Sequence, residues 1–261
     1  MRVLSRLRVL AIDTCGVDSS LALAQISAAG VEVAGSSTAA PCAAETGAAG
    51  ASLLETQLIR QVALAGRNCA EQIMPALRSL LMAGDGSAED GRLATLDAIV
   101  VARGPGSFTG VRVGLSTAKA MAQALSLSVV GVSRLQVLAR ANGARVALLD
   151  AGRGEFYWGA AGEERSEAVL TVEAVREHLA ARQWTEADLA CCEESVARVF
   201  GSARLLASPT AEQSARLAQM RVWSKDFDDI AAMDGHYLRR SQAEVVAEAL
   251  QAQKAAQGAA L

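Results

Sequence analysis

Histidine, lysine and aromatic residues are scarce in this 261-residue chain, and each shortage narrows what it can do. Its only histidines are His178 and His236. They form neither a His-x-x-x-His nor a His-Glu-x-x-His pair, so neither a histidine-based metal centre, a metallopeptidase site nor a conventional Ser-His-Asp triad is expected. Of 25 basic residues only Lys119, Lys225 and Lys254 are lysines, and 28 acidic residues leave a formal net charge of -3. A protein that grips nucleic acid unaided needs a basic surface or stripe to neutralise phosphates, and no such stripe is visible in the sequence. The five cysteines, Cys15, Cys42, Cys69, Cys191 and Cys192, lack a C-x-x-C spacing and are expected to be reduced, mostly structural thiols. No apolar run approaches the ~18 residues of a membrane span. Arg2, Arg6 and Arg8 are followed by only four apolar residues, Val9 to Ile12, before Asp13, which is too short for a signal peptide; a cytoplasmic protein is expected.

What is present is enough for a core. Hydrophobic residues make up 51% and charged residues 20%, so burial can offset the entropy of ordering the chain. Arg8 to Thr14 and Ser19 to Gln25 read as a hairpin around a polar turn. Residues 35–52, with the single charge Glu45, read as a flexible insertion. A third strand is predicted over Leu58 to Ala65, and a helix over Cys69 to Met82, where Ile73, Leu77, Leu80 and Leu81 share one face and Pro75 either starts or kinks the regular part. Leu96 to Ala102 is a buried strand by its unbroken apolar run, followed by a helix from Thr109 to Leu125 and a strand from Val129 to Val132. A short helix near Ser133 to Arg140 precedes a second hairpin, Arg145 to Asp150 with Glu155 to Ala160. Each hairpin carries an aspartate at the end of its first strand, which hints at two related lobes with mixed sheets covered by helices. Residues 163–234 offer no motif.

The segment Arg103 to Gly114 (RGPGSFTGVRVG) joins a buried strand to a helix. Gly104 and Gly106 suit a tight turn there, Ser107 or Thr109 can cap the helix, and free amides at a helix start attract anions. The arrangement is not a Walker A loop, because no lysine follows at the required spacing. It is either an anion cradle or a plain strand-to-helix connection. Asp13 and Thr14 could hold a metal-bound phosphate or hydrogen-bond the turn. In the following helix Gly110, Gly114, Ala118 and Ala122 recur every fourth residue as a ridge of small side chains, which lets another helix approach closely. That neighbour is either the chain's own Cys69 to Met82 helix or a partner. Tyr237-Leu238-Arg239-Arg240 suits either a phosphate or a solvated turn, and Phe156-Tyr157-Trp158 reads as strand core.

LAIDTCGVDSSLALA (Leu10 to Ala24), CAEQIMPAL (Cys69 to Leu77), LDAIVVARGPGSFTGVRVGLSTAKAMAQAL (Leu96 to Leu125), VVGVSRLQVLA (Val129 to Ala139), DAGRGEFYWG (Asp150 to Gly159) and HYLRRSQAE (His236 to Glu244), in this order, resemble the TsaB, or YeaZ, family. The resemblance implies an α/β, two-lobed fold of the actin, Hsp70 and sugar-kinase type, each lobe ribonuclease-H-like, with residues 1–132 as the first lobe and 133–261 as a smaller second lobe ending in a C-terminal helix. It implies a noncatalytic accessory role in transferring a threonylcarbamoyl group to adenosine 37 of tRNAs that read codons beginning with A. The partners implied are a TsaD-like catalytic paralogue and a TsaE-like ATPase, with tRNA reached only through the complex and a homodimer as the alternative assembly. The family commonly has His where this chain has Cys69. Carried onto this chain, the partner-facing residues are Met74, Leu77, Leu81, Gly110, Gly114, Ala118 and Ala122. No catalytic or metal-binding residue is implied and no tightly bound cofactor. ATP or ADP at the partner boundary, and a vestigial nucleotide site at Asp13, Thr14, Gly104, Gly106 and Ser107, are the expected cofactor contacts. The competing expectation is an ATP-dependent phosphotransferase of the same fold.

Overall fold

A computed structural model describes residues 6–28, 54–64, 68–82 and 95–239. The insertion expected at 35–52 and the C-terminal helix expected beyond Arg239 lie outside these residues. The described residues build two five-stranded mixed sheets. In the first, β1 (Arg6–Asp13) pairs antiparallel with β2 (Ser19–Ala28) and β2 with β3 (Leu54–Leu64), while β1, β4 (Ala98–Ala102) and β5 (Ser128–Val132) run parallel. Leu10 faces Leu23 on one side and Ile99 on the other. Val9, Leu10, Ala11 and Ile12 are all fully buried, and since successive side chains alternate between faces, both faces of this sheet must be covered.

The helices α1 (Cys69–Met82) and α2 (Phe108–Leu125) supply one cover. Both run antiparallel to β1, because each returns the chain to the start of the next parallel strand. Pro75 sits inside α1 on its exposed side. The other cover is α6 (Ala211–Trp223), which lies across β1 to β5 and is anchored where the Ala211 amide donates to Ser20 Oγ (2.9 Å). A lobe boundary at 132/133 therefore misplaces α6: by sequence it belongs to the second half, but its alanines, Ala211, Ala215 and Ala218, fill the core of the first.

The second sheet is ordered β10 (Arg204–Leu205), β9 (Leu189–Cys191), β6 (Val146–Gly152), β7 (Glu155–Ala160) and β8 (Ala168–Thr171). Alternation along β6 is clean. Val146 and Leu148 face a core made with Phe156, Trp158, α4 (Val172–Ala181) and α5 (Glu194–Val199), while Ala147 and Leu149 face α3 (Arg134–Ala141). Tyr157, between Phe156 and Trp158, falls on the α3 side, as expected for a strand. α3 also touches α6, so this helix pair joins the two lobes.

Candidate functional site

The carboxyl ends of β1, β4 and β6 meet at the junction of the lobes. Gly104 takes a left-handed φ of +100°, which a side chain disfavours, and this turns the chain from β4 into α2. The turn is consumed by its own neighbours. Ser107 N–H donates to the Cys15 carbonyl (2.8 Å), the Gly104 carbonyl accepts from the Arg134 amide (2.7 Å), and Ser107 Oγ caps α2 by accepting from Gly110 N–H (3.2 Å). A Cβ on Gly106 would run into the Cys15 carbonyl. Thr14 Oγ1 donates to the Gly110 carbonyl (2.6 Å). Asp13, Thr14, Gly104, Gly106 and Ser107 are thus brought together, but as a tight connection.

Asp13 is only 1% exposed, with Oδ1 accepting from the Cys15 amide (3.0 Å) and Oδ2 without a partner. Burial raises its pKa against the opposing pull of Arg134. The Arg134 guanidinium, itself 4% exposed, fills the gap between the lobes. Its Nη2 stands where a side chain on Gly16 would point, in the β1–β2 turn, and lies 3.9 Å from Cys192 Sγ, just beyond β9. Burial alone would lower the Arg134 pKa, but Asp13, Cys192, Cys15 and Glu193 together hold it raised. Glu193 and Cys192 are both pushed upward by burial, the thiol to about 12. A buried guanidinium therefore supplies at Asp13 the positive charge that a metal ion would bring, which disfavours a cation there. No cluster of three or more His, Cys, Asp or Glu able to hold a metal exists among the described residues. His178 leans on Trp158, and His236 Nε2 meets Glu167 Oε2 at 2.7 Å in a separate network with Ser133 and Gln136.

The ridge expected to meet a partner points inward. Side chains on Gly110 and Gly114 would strike the carbonyl and hydroxyl of Thr14, and Ala118, Ala122, Leu77 and Leu81 are buried in the first core. Small residues at 110 and 114 let α2 descend onto the end of β1, not onto a second helix. Of the seven partner-facing residues expected, Met74 alone is exposed, at 62%. Turned to solvent instead are Met74, Arg78 and Met82, one row at four-residue spacing on α1, and Ser116, Ala120 and Ala124, a second small-residue row on α2. Sequence periodicity singled out the Gly110 ridge and passed over the Ser116 row. Only the Thr14 contacts reveal which one faces in.

Arg134 was missed as well, although one signal existed: a cation in the first turn opposes the helix dipole, so an arginine there implies anionic partners elsewhere.

The family model described as TsaD, tRNA N6-adenosine threonylcarbamoyltransferase, matches residues 60–255. The chain is 36% identical over 130 residues to the tRNA threonylcarbamoyladenosine biosynthesis protein TsaB of Escherichia coli K12, covering 44% of this chain and 54% of that protein. It is 38% identical over 110 residues to the TsaB of Bacillus subtilis 168, covering 40% and 45%. The chain spans about half the length of these curated relatives. Among solved structures, YeaZ from Pseudomonas aeruginosa aligns over 89% of this chain and all of that one, with a TM-score of 0.60 and 26% identity.

Proposed function

The chain belongs to the TsaD family, on its TsaB/YeaZ branch, and from that membership we propose that it serves threonylcarbamoyladenosine formation as a noncatalytic partner of a TsaD-like paralogue. Its contribution is to seat and orient the catalytic subunit while that subunit transfers the threonylcarbamoyl group to adenosine 37 of tRNAs reading codons that begin with A. The observation that carries this reading is the outer face of α1 and α2. Methionines at 74 and 82 flank Arg78, and the adjoining Ser116, Ala120 and Ala124 leave α2 with little bulk, a surface into whose grooves a second pair of helices can fit closely. A TsaE-like ATPase joins this pair, and nucleotide is held in the partner or at its boundary with this chain.

The phosphotransferase alternative needs a polar cleft open to a nucleotide. Arg134 beside Asp13, and the turn amides already spent on Cys15 and Ser107, weigh against it. Isothermal titration separates the two. This chain titrated with the paralogue is expected to bind, with Ala120→Trp weakening the complex about tenfold; titrated alone with magnesium ATP it is expected to give no heat. Tight nucleotide binding by the isolated chain would favour the phosphotransferase.

A further inference from the structure

At the start of α2 the C-terminal segment folds back and places Tyr237 against Phe108, ring centroids 5.5 Å apart. Arg112, one turn further along, lays its guanidinium over the Phe108 ring at 3.9 Å and donates through Nε to the Tyr237 hydroxyl (3.4 Å). Both rings remain exposed, Phe108 at 51% and Tyr237 at 41%. The segment is pinned by His236, whose amide donates to the Arg103 carbonyl (2.7 Å) and whose ring meets the buried carboxylate of Glu167, so Tyr237 is held in place. Lys119 lies seven residues beyond Arg112 on the same flank of the helix, and α2 contains no acidic residue. Nearby arginines are neutralised, Arg103 by Glu164 and Arg239 by Glu155, whereas Arg112 and Lys119 form no ion pair among the described residues. Phe108 and Arg112 continue the four-residue spacing of Ser116, Ala120 and Ala124 toward the start of α2, with Lys119 beside them.

We propose that Phe108, Tyr237, Arg112 and Lys119 form a contact site for single-stranded RNA, the rings and guanidinium taking an unstacked base and the two cations the adjoining phosphates. Exposed aromatic faces with an arginine are the common platform for splayed bases, and cations without carboxylate partners are what phosphates select. A protein partner would have less use for a flank bearing two cations that have no ion pair among the described residues. The local site coexists with a net negative chain because the match is confined to one helix flank. This inference deepens the proposed function by assigning part of the tRNA contact to this subunit.

The test is a titration of fluorescently labelled, unmodified tRNA transcript with the complex of this chain and its paralogue, and with the full chain alone, over a series of salt concentrations. Replacing Phe108 and Tyr237 together by alanine is expected to weaken tRNA binding roughly tenfold, within the range for losing a stacked base. Arg112→Ala with Lys119→Ala is expected to flatten the dependence of log affinity on log salt by about 0.7 for each phosphate no longer neutralised. Paralogue affinity is measured separately, so that a loss of tRNA binding by the assembled complex is told apart from a loss of assembly. The inference is overturned if tRNA affinity and salt slope match wild type in both double variants, if neither wild-type form binds tRNA, or if the variants lose paralogue affinity while each assembled complex binds tRNA normally. A chain that fails to bind the paralogue yet loses tRNA affinity through these variants overturns the partner reading and leaves this one standing.

Discussion

The two sheets share a plan, yet they end their first strands differently. Read from the hairpin side, the first runs β3-β2-β1-β4-β5 and the second β8-β7-β6-β9-β10, with the same antiparallel opening and the same parallel continuation. Asp13 closes β1 in complete burial opposite Arg134. Asp150, at the corresponding position in β6, is exposed and binds the Gly152 amide (2.6 Å) and the Ser195 hydroxyl (2.8 Å). The difference teaches that a shared sheet plan does not carry a shared site. One aspartate lies in an interlobe charge cluster, and the other is an ordinary turn cap.

The comparison is broken most forcefully at Arg134. Arg134→Met leaves the buried Asp13 without the cation that opposes its burial penalty, and stability is expected to fall by up to about 3 kcal/mol, the upper part of the range for disturbing a buried polar cluster. Chemical denaturation should show that loss, and it should shrink with acid. Because Asp13 is held above its ordinary pKa, the folded chain takes up a proton more readily than the unfolded one, so lowering the pH through that window favours the fold. Loss of Arg134 raises Asp13 further and widens the window. The deficit measured at about pH 5 should therefore be smaller than at about pH 8. An equal deficit at both would mean that Arg134 acts through packing alone.

Next in size is a contrast within α2. Gly114→Leu forces a side chain into Thr14 and should cost about 1 to 3 kcal/mol, with the paralogue affinity of the folded fraction unchanged. Ala120→Trp, on the opposite side, should leave the melting temperature nearly unmoved and weaken the paralogue complex. If the two variants exchange these effects, the inward and outward rows have been assigned the wrong way round. The smallest effect is expected at the second lobe's aspartate. Asp150→Asn should change stability by no more than about 0.5 kcal/mol, since the group is solvated and surface changes seldom exceed that.

Much of this architecture was legible in the sequence because apolar runs and periodicity report local burial. The α1 boundaries, the unbroken run of β4 and both hairpins follow from patterns within a few residues. β3 starts at Leu54, four residues earlier than its pattern suggested, since its first residues gain order from pairing with β2 rather than from their own alternation. Residues 163–234 showed no motif, yet they form β8, α4, β9, α5, β10 and α6, short elements whose stability comes from contacts far away in sequence. The same limit governed the site. Asp13 and the glycine turn were visible as candidates, but Arg134 becomes meaningful only when β1 and β9 are brought to it. The small-residue ridge was real, and its direction was hidden because an α-helix with small residues on two faces gives no internal sign of which one is buried. Tyr237 reaches Phe108 across more than a hundred residues, beyond any local pattern.

The central claim is that this subunit supports a reaction it does not perform. Its most direct test is single-turnover transfer of a radiolabelled threonylcarbamoyl group to tRNA by the purified paralogue and ATPase, with this chain titrated in. The account predicts that product rises with added chain to an equimolar plateau, and that the chain alone forms none. Product formation that is indifferent to the chain, or turnover by the chain without its partner, would contradict it.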